Sequence, residues 1–163
     1  MRKGGMGIGI LLGLAISVVI GLIFWGGGQQ WIDVEHVKAM AAEVDLDKKW
    51  VYLCGALYWI TVNSILEEYV WRWFVFRKFE VLVGSGAAVV LSAIGFAVHH
   101  GFALSVYFDW QVNLLCCLGI GIGGAVWSWL YLRYRSVWPG YASHAIVDVA
   151  VFAIGYFLFF GQS

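Results

Sequence analysis

Apolar residues fall along this chain in five long runs separated by short polar segments. Residues 6–25 hold no charged side chain, whereas residues 26–49 hold Asp33, Glu35, Lys38, Glu43, Asp45, Asp47, Lys48 and Lys49. The next run is interrupted by Glu67, Glu68 and Arg72 and closes at Arg77, Lys78 and Glu80. Two further runs end at Asp109 and at Arg133 and Arg135, and the last follows Pro139 to the end with Asp148 inside it. A hydrocarbon core of about 30 Å takes roughly 20 apolar residues per helix. The pattern therefore predicts transmembrane helices over 6–25, 52–76, 86–107, 111–131 and 140–160. The apolar positions are continuous rather than alternating, which favours helices over a barrel. Residues 31–46 predict a short interfacial helix. The expected fold is an all-α, polytopic integral membrane bundle of about five transmembrane helices. It divides into an N-terminal anchor (1–30), an extramembrane loop (31–49) and a four-helix core (50–163).

The first run is longer than the roughly 7–15 residues of a signal-peptide core, and no small-x-small cleavage site follows it. A retained anchor is expected. Gly5, Gly9, Gly13, Ser17 and Gly21 recur every four residues, giving that helix a small-residue face for close packing inside the monomer. The other use of such a face is a homodimer. Basic residues orient the bundle. With the N-terminus cytoplasmic, Arg2, Lys3, Arg77, Lys78, Arg133 and Arg135 lie inside, against Lys38, Lys48 and Lys49 outside. The expected setting is a multi-pass protein of the cell (inner) membrane with its C-terminus outside.

Composition agrees. Side chains are 62% hydrophobic and 12% charged, half the roughly 25% charge of a soluble domain. Ten Lys and Arg balance ten Asp and Glu, leaving no basic excess for nucleic acid. Cys54, Cys116 and Cys117 lie in predicted helices, and their odd count without C-x-x-C spacing supports neither a disulfide framework nor a zinc site.

Most formal charges mark boundaries; Glu67, Glu68, Arg72 and Asp148 do not. An ionisable group at mid-membrane costs at least ~2.5–3.5 kcal/mol on insertion scales, so these residues are functional candidates. Glu68 and Arg72 are four apart, which permits an ion pair. Glu67 points about 100° away and is left without a cation nearby in sequence. Phe96 and His100 share one helix face, His144 and Asp148 another, while His99 projects elsewhere and His36 lies in the polar loop. His144 is the shallowest of the group, just past Pro139.

Glu and His without a Ser or Cys in register suggest activation of water rather than a protein nucleophile. Glu67 would take the proton, His100 would hold the water, and His144 with Asp148 would stabilise a tetrahedral oxyanion. The alternative is a divalent metal such as zinc held by Glu67, His100 and His144 with one position open.

The motifs E-E-x-x-x-R (Glu67, Glu68, Arg72), F-x-x-x-H (Phe96, His100) and H-x-x-x-N/D (His144, Asp148), in this order on successive helices, resemble the CPBP family. That family includes type II CAAX prenyl endopeptidases and bacterial Abi-type membrane proteases. The resemblance covers about residues 50–160. It implies Glu67 as the water-activating base, Glu68 and Arg72 as a supporting pair, His100 as the water-positioning group, and His144 with position 148 as the oxyanion site. It also implies glutamate-dependent intramembrane proteolysis near a substrate's C-terminal end. The substrate would be a prenylated, CAAX-like peptide or a C-terminal sorting tail. Position 148 is Asp where the prenyl endopeptidases carry Asn. Two other functions compete: a proton-coupled transporter, because membrane carboxylates and histidines also relay protons, and a catalytically silent scaffold.

Overall fold

The uncharged first run forms α1 (Met6–Trp25), and its small-residue stripe lies against the last helix. Backbone approaches so closely that a Cβ at Gly9 would strike Pro139, and one at Gly13 would strike Ser143. Ser17 Oγ–H, 2.8 Å from Gly13 O, also lies 3.3 Å from Ile146 O. The stripe is used within the monomer, as expected. The structure is a computed structural model describing residues 4–161; Arg2 and Lys3 lie outside the described residues.

A short helix follows, α2 (Val34–Ala42), whose start Asp33 caps by accepting the His36 N–H at 3.0 Å. The exposed His36 ring also donates to Val106 O at 3.1 Å, tying this loop to the turn around Val106. Then the chain is helical without a break from Lys49 to Val83, starting just before the predicted 52–76 span and running well past its end. It comprises α3 (Lys49–Tyr58), a π-helical stretch (Trp59–Asn63), α4 (Ser64–Glu68), a second π stretch (Tyr69–Phe76) and α5 (Arg77–Val83). Gly84, at φ +81°, ends it because a left-handed residue cannot propagate a right-handed helix.

The remaining helices are α6 (Ser85–Leu104), α7 (Trp110–Tyr134) and α8 (Trp138–Phe160). Asp109 caps α7 by accepting the N–H groups of Gln111 and Val112, each at 2.9 Å. Pro139 sits in the first turn of α8, where its missing N–H costs nothing. By length and composition, α1, α6, α7 and α8 can each cross a membrane. The fifth predicted span is the charge-bearing, π-interrupted run. The protein is thus a polytopic, all-helical membrane protein. The most extensive pairings are α1 with α8 and α6 with α7, and the Lys49–Val83 run touches α6, α7 and α8. Trp71 and Phe76 turn inward from this run, whereas Trp73 and Phe74 are half exposed.

One clasp joins the two turns at one end of the bundle. Arg135 grips both Glu80 oxygens, Nη1 to Oε2 at 2.7 Å and Nη2 to Oε1 at 2.8 Å, and Arg77 adds a bond at 2.9 Å. Arg135 itself sits at left-handed φ 52°, a cost of roughly 1–2 kcal/mol that the two-pronged contact offsets. The hydrogen bonds from Arg135, with Ser85 and the charges of both arginines adding to them, hold the Glu80 carboxyl down to about 2 from 4.5. Its contribution is therefore complete above about pH 4.5 and is lost as pH falls through about 2. Glu80→Gln is expected to cost about 1 kcal/mol at neutral pH. The gap to the parent chain in detergent-unfolding curves should close as the pH approaches 2. A gap that stays constant with pH would show that the charge is not what matters.

Candidate active site

The two π stretches frame α4, a short α-helical segment carrying Ser64, Glu67 and Glu68. Ser64 precedes Glu67 by three residues and Glu68 by four, so all three can meet neighbouring helices on one side. π turns inside α-helices occur often at functional sites. Here they mark the point where this run meets α6, α7 and α8.

Glu68 and Arg72 are fully buried, with Arg72 Nη1 3.1 Å from Glu68 Oε1. The pairing is ionic by distance, but its angle is not that of a hydrogen bond. The guanidinium lies over the Phe96 ring at 4.5 Å and the Trp127 ring at 5.1 Å, and Nη2–H donates to Gly124 O at 3.3 Å. Aromatic faces and one carbonyl thus replace the water this cation gave up. Glu68 Oε1 also accepts the Nδ1–H of His144 at 3.2 Å. Glu68 Oε2 lies so close to Gly140 that a Cβ there would strike it. Gly140 is present because only a glycine lets this carboxylate reach α8.

Glu67, offset from Glu68 by about 100° around the helix, meets the other nitrogen of the same His144 ring and also His100. His100 Nε2 lies 3.6 Å from Glu67 Oε1, and His144 Nε2 lies 3.6 Å from Oε2. His100 Nδ1 is 2.9 Å from Phe96 O. A carbonyl only accepts, so Nδ1 carries the hydrogen and the neutral ring turns its Nε2 lone pair to Glu67. Two acceptors 3.6 Å apart do not bond to each other; a water to one side of the pair, about 2.8 Å from each, can donate one hydrogen to each. Glu67 keeps 15% and His100 25% of its side-chain surface exposed, enough for a reactant to reach both.

His144 is the hub. Its ring stacks on Trp127 at 3.9 Å and 15°, and Trp127 is itself held by an Nε1–H bond to Ser143 Oγ at 3.0 Å. Asp148 Oδ1 lies 3.7 Å from His144 Nε2, while Oδ2 accepts a 2.6 Å bond from Ser64 Oγ–H. Every motif residue, Glu67, Glu68, Arg72, Phe96, His100, His144 and Asp148, thus belongs to one cluster. His99 packs on Trp71 and the His100 ring instead. The depth mismatch expected for His144 is met by staggered helices. The site lies near the C-terminal end of α6 but in the second turn of α8, about 9 Å from its start.

Ser64, Trp127, Ser143 and Gly140 are site residues that the motifs do not include. Ser64 alone left a trace in the sequence, a hydroxyl four residues before Glu68 in an apolar run. Trp127 is one of 10 tryptophans, and Gly140 beside Pro139 looks like an ordinary turn.

The zinc alternative fits less well. Each Glu67 oxygen faces a different imidazole, and among the described residues no set of three His, Cys, Asp or Glu side chains is arranged to hold a metal ion.

The family model described as "Type II CAAX prenyl endopeptidase Rce1-like" matches residues 49–150, from the start of α3 to just past Asp148. No curated protein and no solved structure matches the chain.

Proposed function

Since the chain belongs to the type II CAAX prenyl endopeptidase Rce1-like family, we propose that it is an intramembrane endopeptidase that cuts near the C-terminal end of a membrane-associated substrate. Water held between Glu67 and His100 gives a proton to Glu67, and the resulting hydroxide attacks the peptide carbonyl carbon. The C=O bond opens to an oxyanion, to which His144, protonated on both ring nitrogens, donates its Nε2–H while its Nδ1–H stays on Glu68. Collapse expels the amine, which takes up the proton from Glu67 as the C–N bond breaks. The observation that carries this reading is the pair of 3.6 Å separations around Glu67, one on each oxygen. They leave the carboxylate unbound by its neighbours and available to a water.

Glu68 and Arg72 serve as support. The buried pair keeps His144 turned by its Nδ1 edge, so that Nε2 faces the reacting groups. Asp148 is not a direct oxyanion donor, because an ionised carboxylate only accepts; it acts on the reaction through the His144 edge it faces.

Substrate and orientation follow the same reading. The site is about 9 Å from the Trp138 end of α8, suiting a bond near one membrane face. An open apolar groove of about 380 Å³, lined by Tyr52, Ala56, Ile60, Val149, Phe152 and Tyr156, lies along α3 and α8. It suits either a prenyl chain or the apolar part of a C-terminal sorting tail. Arg77, Lys78, Arg133 and Arg135 gather at the turns near the site, which favours that face, and the N-terminus, as cytoplasmic. The 50–163 core carries the chemistry, and α1 braces α8.

Mass spectrometry of membrane-protein C-termini, with and without the active protein, tests the proposal and identifies the substrate. C-terminal fragments that depend on the protein are expected. An identical set of termini in both samples would refute proteolysis and leave the transporter or scaffold functions.

A further inference from the structure

Ser64 is fully buried, uncharged and absent from the three motifs, yet it makes the shortest polar contact that any site residue makes. Its hydroxyl lies 2.6 Å from Asp148 Oδ2 and 2.8 Å from Trp59 O. The Trp59 carbonyl belongs to the π stretch that ends just before Ser64, and the Ser64 N–H also donates to it. The i+5 winding brings that carbonyl under the serine. The hydroxyl has a single hydrogen, which goes to the nearer acceptor, Asp148 Oδ2, with the Trp59 carbonyl as a longer second contact; the serine stands at the first residue of α4, one turn before Glu67 and Glu68.

The consequence appears on α8. Ser64 faces Asp148 as Glu67 and Glu68 face His144, so the two helices meet in two rungs four residues apart. Holding Oδ2 fixes the carboxylate rotation and leaves Oδ1 directed at His144 Nε2, 3.7 Å away. That nitrogen edge is the one facing Glu67 Oε2. An unheld Asp148 could turn either oxygen, or neither, to the ring.

We propose that Ser64 is a positioning residue for the reaction, acting through Asp148 to set the His144 edge beside Glu67. The inference rests on the protease reading and deepens it by extending the first motif one turn towards the N-terminus, to S-x-x-E-E-x-x-x-R. It also gives a reason why an acceptor-only Asp serves at position 148: it is held by a donor supplied from α4.

A double-mutant cycle tests this. The full-length parent chain, Ser64→Ala, Asp148→Ala, the combined variant and Glu67→Gln are expressed in matched membranes. The yield of C-terminal cleavage products is counted by mass spectrometry, and thermal unfolding of each purified protein is followed in detergent. Ser64→Ala is expected to lower product yield about tenfold with little change in unfolding temperature. It should add almost nothing in the Asp148→Ala background, because a residue acting through another cannot lose its effect twice. Equal losses in both backgrounds would overturn the proposal, as would full activity in Ser64→Ala. So would a loss that merely follows unfolding, which the thermal data expose. If the parent chain and Glu67→Gln give the same products, the protease reading fails and takes this inference with it. If they differ while Ser64→Ala matches the parent, only this inference fails.

Discussion

Glu67→Gln is expected to lower the rate of peptide-bond cleavage by about 10²–10⁴-fold, the range for loss of a general base, while the protein stays folded. The two halves of the prediction have separate causes. The amide keeps the size of the carboxylate but cannot take a proton from water, so no hydroxide forms at the substrate carbonyl. Stability is spared because Glu67 makes no short contact with any site residue: its nearest site neighbours, the two Nε2 atoms, stand at 3.6 Å. Purified protein in lipid vesicles, given a substrate found by C-terminal mass spectrometry, supplies the rate, and thermal unfolding supplies the control. Cleavage at the parental rate by a folded Glu67→Gln protein would remove the carboxylate from the mechanism. A lost rate accompanied by lost folding would assign Glu67 to the scaffold instead.

The spans and the site were legible in the sequence to different degrees, for physical reasons. A membrane punishes charge so strongly that the ends of α1, α6, α7 and α8 could be read to within a few residues from where charges and turn residues stand. The same penalty made Glu67, Glu68, Arg72 and Asp148 conspicuous, and helical spacing paired Glu68 with Arg72 and His144 with Asp148. Winding within the Lys49–Val83 run left no comparable mark, because π and α turns use the same apolar residues and differ only in which carbonyl each N–H finds. Axial stagger was also invisible. It depends on how far the α5–α6 hairpin reaches relative to the start of α8, where Glu80 meets Arg135. Counting residues from each boundary therefore made His144 look too shallow to meet His100. Uncharged participants were hidden for a simpler reason. Trp127 and Gly140 cost the membrane little, so nothing separates them from packing residues until their neighbours are known, and Ser64 shows only as a hydroxyl four residues before Glu68.

Arg72→Met is expected to be the most destabilising single substitution in the site, at about 3–5 kcal/mol. It removes the guanidinium from Glu68, a carboxylate with no exposed surface, and leaves that charge facing Phe96, Trp127 and the backbone of Gly140. Against a total stability of roughly 5–15 kcal/mol, most of the folded protein should be lost. Arg72→Lys should recover only part of the loss, because an ammonium has no flat face to lie over the two rings and no fork to reach both Glu68 and the Gly124 carbonyl. Combining Glu68→Gln with Arg72→Met should recover much more, since it buries no unpaired charge. Yet the combined variant should cleave poorly, for the ionised Glu68 Oε1 that takes the His144 Nδ1–H is gone and a neutral amide no longer holds the ring charged with its Nε2–H towards the reacting groups. Folding without activity in that variant would mean that the buried pair is retained to orient His144 rather than to hold the bundle together. Denaturant unfolding in mixed micelles measures the first effect and vesicle cleavage the second. An Arg72→Met protein as stable as the parent would show that Glu68 is not ionised in the folded state, and a fully active combined variant would show that His144 needs no charged partner.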